Sequence, residues 1–323
     1  MLPQQDKPAC EIHKTRELYW DRDMVSHSRF IDKTTGLFED HYVEQRACPV
    51  CDRDNSRFLF RKMGGIHVRC KSCEMVYLNP VFTDEALMKF YKENHTGQSE
   101  MVDDDLEFYS AIYNQGLDLV RKRSPDIRNV LDYGCSGGFF LDVAKNIGIE
   151  NCFGMELNKI EADISKAKGH SVHNGLLETN PFQEKFDLIT LWDVFEHIKD
   201  GKSYLNKFRK IISDDGFLLL QVPNATALAA RIMQEHSNMY DGLEHVNLYS
   251  PETLNLIAEK SGFKVIEMQT VIPEMNVLNN YLNYENGYTG GREATTNLLG
   301  MISEQDLNKH LLGYKIQAVL QKI

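Results

Sequence analysis

The stretch Val130–Gly148, VLDYGCSGGFFLDVAKNIG, constrains this chain more than any other. It joins a short apolar strand to a glycine-bearing turn and then to an amphipathic helix, with an acid, Asp132, at the junction. Val130 and Leu131 suit a buried parallel strand. Gly134, Gly137 and Gly138 leave out the Cβ atoms that would hold a ligand away from the backbone. The first turn of the following helix offers N–H groups that have no partner within the helix. Together these features describe a nucleotide-type ligand site. A dinucleotide fingerprint needs a second glycine two residues after the first and a third three residues beyond that; Ser136 and Phe139 stand there instead, which argues against NAD. Further on, Asn151–Glu156 (NCFGME) reads as a second strand ending in an acid. A lone strand-end acid there has a plain surface reading.

From Asp126 onward short apolar strands alternate with helical stretches, the pattern of a parallel α/β sheet covered on both faces. The candidate strands span 129–133, 151–156, 170–174, 186–192, 216–222 and 263–270, and the final GYKIQAVLQKI alternates well enough for a seventh. Ahead of the sheet, Thr83 opens a capped helical pattern, TDEALMKFYKENH, and a second helix is predicted from about Leu106 to Arg123. Between them HTGQSEMVDDD reads equally as a loop over a pocket and as a solvated linker. Residues 1–45 carry charge and scattered aromatics without a period, and are expected to form an arm packed on the segment that follows.

That segment, 46–80, is set by its cysteines. Cys48, Cys51, Cys70 and Cys73 form two C-x2-C knuckles separated by 18 residues, a spacing suited to tetrahedral zinc. The intervening FLFRKMGGIHVR reads as two strands meeting at Gly64 and Gly65, so the knuckles can converge. Four thiolates leave no open position for water, so this Zn2+ would be structural. Two disulfides are the alternative and need an oxidising compartment. His67 reads as a strand residue rather than a fifth ligand. Cys135, in the cofactor turn, has no evident base beside it to make it a nucleophile.

Composition excludes some partners. No apolar run approaches the roughly 18 residues needed to cross a bilayer, and the first 30 residues have no signal-peptide apolar region, so a cytoplasmic location is expected. The net charge of −11 disfavours a nucleic-acid backbone as the main partner.

The turn VLDYGCSGG resembles motif I of class I S-adenosylmethionine-dependent methyltransferases, with Ser136 replacing the middle glycine. FDLITLWDVFEHIK (186–199) resembles the same family's motif IV. The resemblance implies a Rossmann-like seven-stranded sheet with an antiparallel last strand (313–323) beside the sixth. Residues 274–312 then become a helical insertion before that strand, within a methyltransferase domain of 126–323 that follows a helical linker or lid at 81–125. It further implies S-adenosylmethionine as cofactor, held by Asp132, Gly134, Ser136, Gly138, Glu156, Leu157, Leu176 and Trp192. Glu156 is then the ribose carboxylate, which can accept from both vicinal hydroxyls and which the pairing with the glycine turn favours over a surface acid. Leu176 stands where many members carry an acid for the adenine amino group. Asp193 then lies beside donor and acceptor, with capping of the next helix as its other reading. His197 either orients the substrate or is structural.

Methyl transfer to a hydroxyl also needs a base. His245, in LEHVNLYSPETL, is the best candidate; its alternative is a loop histidine bonded to Glu244 or to backbone. Tyr249, Glu244 and Arg231 are secondary candidates for gripping a polar substrate.

Taken with the ribbon, the pattern resembles bacterial zinc-ribbon methyltransferases of sugars, glycans and secondary metabolites. This implies O-methylation of a small-molecule or carbohydrate hydroxyl. Sugar C-methyltransferases share the cysteine module but carry a longer C-terminal domain. An RNA methyltransferase, using Arg53, Arg57, Arg61, Lys62, Arg69 and Lys71, and a non-catalytic cofactor-binding partner are the other readings.

Overall fold

The computed structural model describes residues 27–93, 106–272 and 303–323. The segment 95–105, residues 274–302 of the expected insertion, and residues 1–26 of the arm lie outside the described residues. The N-terminal module holds β1 (Val43–Glu44), β2 (Ser56–Lys62), β3 (Gly65–Cys70), β4 (Val76–Leu78) and β5 (Val81–Phe82). β2 and β3 form the expected antiparallel hairpin. It reverses through Met63 and Gly64 at φ 49° and 85°, the two left-handed residues of a type I′ turn. The described part of the arm packs here: Phe38 donates its N–H to the Gly64 carbonyl, and Phe30 and Phe38 share a buried cluster with Phe82, Phe90 and Leu243. Two helices follow, α1 (Asp84–Glu93), where Thr83 Oγ1 accepts the Ala86 N–H, and α2 (Leu106–Arg121).

The larger unit runs β6 (Asn129–Tyr133), α3 (Phe139–Asn146), β7 (Asn151–Glu156), α4 (Lys159–Ala167), β8 (Ser171–Asn174) and β9 (Phe186–Trp192). It continues with α5 (Gly201–Ile211), β10 (Ile212–Pro223), α6 (Leu228–Met233), β11 (Asn247–Leu248), α7 (Pro251–Lys260), β12 (Phe263–Val271), α8 (Glu304–Lys309) and β13 (Lys315–Lys322). Seven strands pair in the order β12-β13-β10-β9-β6-β7-β8. β13 is antiparallel to both neighbours, while the pairs from β10 through β8 are parallel. This is the mixed Rossmann-like sheet of the methyltransferase fold. β10 starts four residues before the expected 216, because Ile212 pairs with Phe186 across the irregular SDDG stretch.

Strand periodicity builds the two cores. On one face Ile189, Leu191, Leu218 and Leu220 pack with Leu205 and Phe208 of α5 and Leu254 and Ile257 of α7. On the other, Leu188, Phe217 and Leu219 pack with Leu117 and Val120 of α2 and Phe140, Leu141 and Ala144 of α3. The chain leaves β6 for β7 on one side and β9 joins on the other, so the β6/β9 boundary is the switch point where open α/β sheets bind ligands.

The two units share a second sheet, ordered β11-β4-β3-β2. β11, from the loop after β10, pairs Asn247 with Tyr77 and Leu248 with Val76. Arg46 fastens the joint: it donates to the carbonyls of Leu78, Lys199 and Val246 and to Asn247 Oδ1. Gly242 comes so close that an added Cβ would lie 2.3 Å from the Met63 carbonyl oxygen. Gly242→Ala is therefore expected to destabilise the chain by about 1–3 kcal/mol as an overpacking change. Denaturant unfolding will read this, and an unmoved midpoint would contradict the close joint.

Candidate active site

The turn after β6 passes through Gly134 (φ 81°), Ser136 (φ 45°) and Gly138 (φ 83°). A Cβ at Gly134 would meet Val194 Cγ2 at 2.5 Å, and one at Gly138 would meet Ser165 Oγ at 2.3 Å. These two glycines thus serve a left-handed backbone and tight side-chain packing. Ser136 does the connecting work. Its N–H donates to Glu156 Oε2 at 2.9 Å and its hydroxyl to Glu161 Oε2 at 2.7 Å. Glu156 Oε1 in turn accepts the Asn158 N–H at 2.7 Å. The carboxylate so ties the turn to the start of α4, and with about four acceptor positions it retains two for a diol. Burial pushes its pKa up, opposed by the N–H groups of Asn158 and Ser136.

Asp132 sits behind this arrangement. It is 2% exposed and its Oδ1 accepts from Thr190 Oγ1 at 2.7 Å, bracing β6 against β9; burial pushes its carboxyl up to about 7. Asp132 thus supports the turn from within the core. Leu157 and Leu176, in contrast, are each 38% exposed beside Glu156. Asn174 Nδ2 links their strand ends by donating to the carbonyls of Glu156 and Leu157.

At the end of β9, Trp192 packs its ring 4.9 Å from Tyr113 and 5.2 Å from Phe140, and its buried Nε1 has no hydrogen-bond partner. Gly116 of α2 makes room for it, since a Cβ there would come within 2.6 Å of the indole. Asp193 is left-handed at φ 55° and caps no helix: the turn Phe195–His197 that follows has Val194 at its N-cap position. Its Oδ2 instead pairs with Lys315 and accepts from Gln221 Nε2, while Oδ1 is buried without a partner. Burial opposes the charge on Lys315, but the Asp193 carboxylate holds its pKa above the ordinary lysine value. Behind Gln221 stands a ladder across the sheet. Gln269 donates to Gln317, Gln317 to Gln221, and Gln221 to Asp193, so every amide in the line points its N–H toward that carboxylate.

The loop after β10 brings His245 against His197, with ring centroids 4.9 Å apart. His245 Nδ1 lies 2.7 Å from the Met239 carbonyl oxygen and 3.4 Å from Asp241 Oδ2. A carbonyl can only accept, so Nδ1 carries a proton, and in the neutral ring Nε2 is the nitrogen with the lone pair. Asp241 orders the loop by accepting the N–H groups of Leu243, Glu244 and His245. Burial pushes its carboxyl up, but the neighbouring His245 and the Leu243 N–H outweigh this and hold it at about 2. Burial, reinforced by His245, lowers His197 to about 3. Glu196 is fully buried with neither carboxylate oxygen hydrogen-bonded; burial and then Asp193 push its pKa well up.

Of the secondary candidates, Tyr249 is fully buried and stacked on Phe195, and so packs the core rather than facing a substrate. Arg231 turns back to the Thr226 carbonyl. Lys315, Asp241 and the glutamine ladder were not foreseen. Asp241 does carry a sequence signal, an acid four residues before His245, whereas Lys315 reads only as the start of a strand.

The four cysteines converge at the ribbon end. Each offers a sulfur within 4.8 Å of the others, and the pairs Cys48–Cys73 and Cys51–Cys70 lie 3.5 Å apart. Those separations far exceed the roughly 2.05 Å of a disulfide. Both knuckles close alike, with Asp52 and Glu74 left-handed and their N–H groups returning to the Cys48 and Cys70 carbonyls. His67 is a buried residue of β3, its ring packed against Phe60 and Tyr240. Cys135 is buried, which pushes its thiol pKa up and away from nucleophilic use.

The chain belongs to the methyltransferase domain family, which matches residues 103–268. Among curated proteins it is similar to the ubiquinone biosynthesis O-methyltransferases of Actinobacillus pleuropneumoniae serotype 7 (26% identity; 35% of this chain and 54% of the relative) and Haemophilus ducreyi (28%; 32% and 48%). The chain thus spans about half the length of the curated relatives it matches. Among solved structures, an S-adenosylmethionine-dependent methyltransferase from Clostridium acetobutylicum aligns with 70% of this chain and 96% of its own, at 10% identity and a TM-score of 0.47.

Proposed function

We propose that the chain transfers the methyl group of S-adenosylmethionine to a hydroxyl oxygen of a sugar, glycan or related small molecule. One observation carries this reading. At the end of β7, next to the turn after β6, the Glu156 carboxylate is hydrogen-bonded to the Ser136 N–H of the glycine turn and flanked by the exposed side chains of Leu157 and Leu176. A carboxylate with spare acceptor positions suits the ribose diol, and two exposed leucines suit the faces of adenine. The unpartnered Trp192 Nε1 and Asp193 Oδ1 mark where the polar methionine end would lie. The acceptor oxygen attacks the methyl carbon, the C–S electron pair passes to sulfur, and the hydroxyl proton leaves at the His245 end, where Nε2 has the lone pair on offer.

Support for oxygen as the acceptor atom comes from the curated relatives, which are O-methyltransferases. The RNA alternative loses ground on the ribbon's basic face. Lys62 turns inward to the Ser237 carbonyl, and Arg57 and Arg69 share Glu74. The ribbon itself, within 46–80, holds one structural zinc. A tetrahedron with Zn–S bonds of about 2.3 Å has sulfurs about 3.8 Å apart, close to the 3.5 Å separations present. The arm (1–45) and the helical segment (81–125) flank it, ahead of a methyltransferase domain over 126–323.

The test is incubation with methyl-labelled S-adenosylmethionine and a panel of nucleotide sugars, oligosaccharides and phenols. Label is expected in an ether linkage. His245→Ala is expected to slow turnover by about 10²–10⁴-fold with cofactor affinity kept. Full turnover by that variant would remove His245 from the chemistry, and label appearing in RNA alone would overturn the acceptor class.

A further inference from the structure

We infer that Glu196, His197 and His245 form a second metal site, separate from the cysteines, which holds a divalent cation at the acceptor end of the pocket. One ligand atom from each of the three lies within 4.8 Å of the others, a spacing that one ion can bridge. Glu196 supplies the independent sign of a ligand. Its carboxylate is completely buried, yet neither oxygen meets a donor among the described residues, although buried carboxylates are otherwise paired or bound to metal.

The surroundings fit a cation in one further way. Both histidines are held from behind: His245 donates Nδ1–H to the Met239 carbonyl with Asp241 alongside, and His197 bonds the Glu244 backbone. Such outer contacts fix the tautomer and orient an imidazole for a metal.

Two imidazoles and one carboxylate suit a first-row ion such as Zn2+, Mn2+ or Fe2+, and three protein ligands leave coordination positions open. The inference rests on the methyl-transfer reading and specifies how the proton leaves. The acceptor's hydroxyl oxygen takes an open position, and coordination lowers its pKa. The O–H bond then breaks, the proton passes to water, and the oxygen lone pair attacks the methyl carbon as the C–S pair returns to sulfur. His245 Nε2 is in this case a ligand. Open positions also favour an acceptor with two neighbouring oxygens, a vicinal diol or a catechol, over an isolated hydroxyl.

Titration of the full-length, zinc-containing chain with Mn2+, followed by the paramagnetic signal of the free ion, tests the site, because the thiolate set favours zinc and the nitrogen–oxygen set accepts manganese. One Mn2+ per chain is expected in the unmodified protein. Glu196→Gln and, as a second variant, His245→Asn are expected to weaken it by more than tenfold, with circular dichroism and cofactor binding unchanged. Absence of a Mn2+ site in the unmodified chain, in competition with Zn2+ or alone, overturns the inference, as does equal binding by both variants. Cofactor binding and methyl transfer are read separately, so a chain that turns over without the ion refutes this site and leaves the methyltransferase reading intact.

Discussion

Cys70→Ser is expected to lose the proposed zinc and with it methyl transfer, while cofactor binding remains measurable. Structural zinc contributes on the order of 10–16 kcal/mol to folding such a module, as much as the roughly 5–15 kcal/mol that holds a whole domain together. Loss of one thiolate therefore releases the knuckles and, next to them, β4. β4 is the strand on which β11 pairs, and the same joint carries the Arg46 bonds to Val246 and Asn247. His245 stands directly before that pairing, so the loop that offers its lone pair loses its anchor. The turn at Gly134–Gly138 and Glu156 lie on β6 and β7, which share no strand pairing with the ribbon. Metal analysis, calorimetry with S-adenosylmethionine and turnover, measured together, check this. A zinc-free Cys70→Ser protein with full turnover would show that the ribbon does not position the acceptor loop.

Glu156→Ala has the second large effect, confined to the cofactor. Two ribose hydroxyls donating to a carboxylate are each worth about 1.5–3 kcal/mol, so the variant is expected to bind S-adenosylmethionine about 10²–10⁴-fold more weakly. The loss has an internal part too, since the Ser136 and Asn158 N–H groups lose their acceptor. Glu156→Gln retains one carbonyl oxygen and is expected to fall between. Titration calorimetry on the three proteins separates these cases, and unchanged affinity in Glu156→Ala would remove the ribose assignment.

Much of this arrangement is legible in the sequence because it obeys local rules. Strands such as 129–133, 151–156 and 186–192 are apolar runs bounded by turns, and each appears at those residues. Ser250 caps α7 reciprocally with Thr253, with Pro251 in its first turn, as the residue types require. What escaped is non-local. Nothing near Lys315 in sequence reveals that β13 delivers its ammonium to Asp193, 122 residues away. The Gln221–Gln317–Gln269 line depends on strand register, with Gln317 opposite both of the others. The capping reading of Asp193 arose because a short polar residue before a helical turn commonly serves as a cap; the partner that claims it comes from the far end of the chain. The glycines of the turn are legible, but the packing against them is not, because Val194 and Ser165 reach them from other segments. Likewise β11 has only two residues, and its pairing with the ribbon becomes visible only in three dimensions.

The central claim is that the turn after β6, Glu156 and the two exposed leucines form one S-adenosylmethionine site. A crystal structure of the chain with S-adenosylhomocysteine tests it most directly. The account predicts both ribose hydroxyls within hydrogen-bond distance of Glu156, adenine between Leu157 and Leu176, and the sulfur at the end of β9 near Trp192 and Asp193. A ligand bound elsewhere, or bound here with its ribose turned away from Glu156, would contradict it.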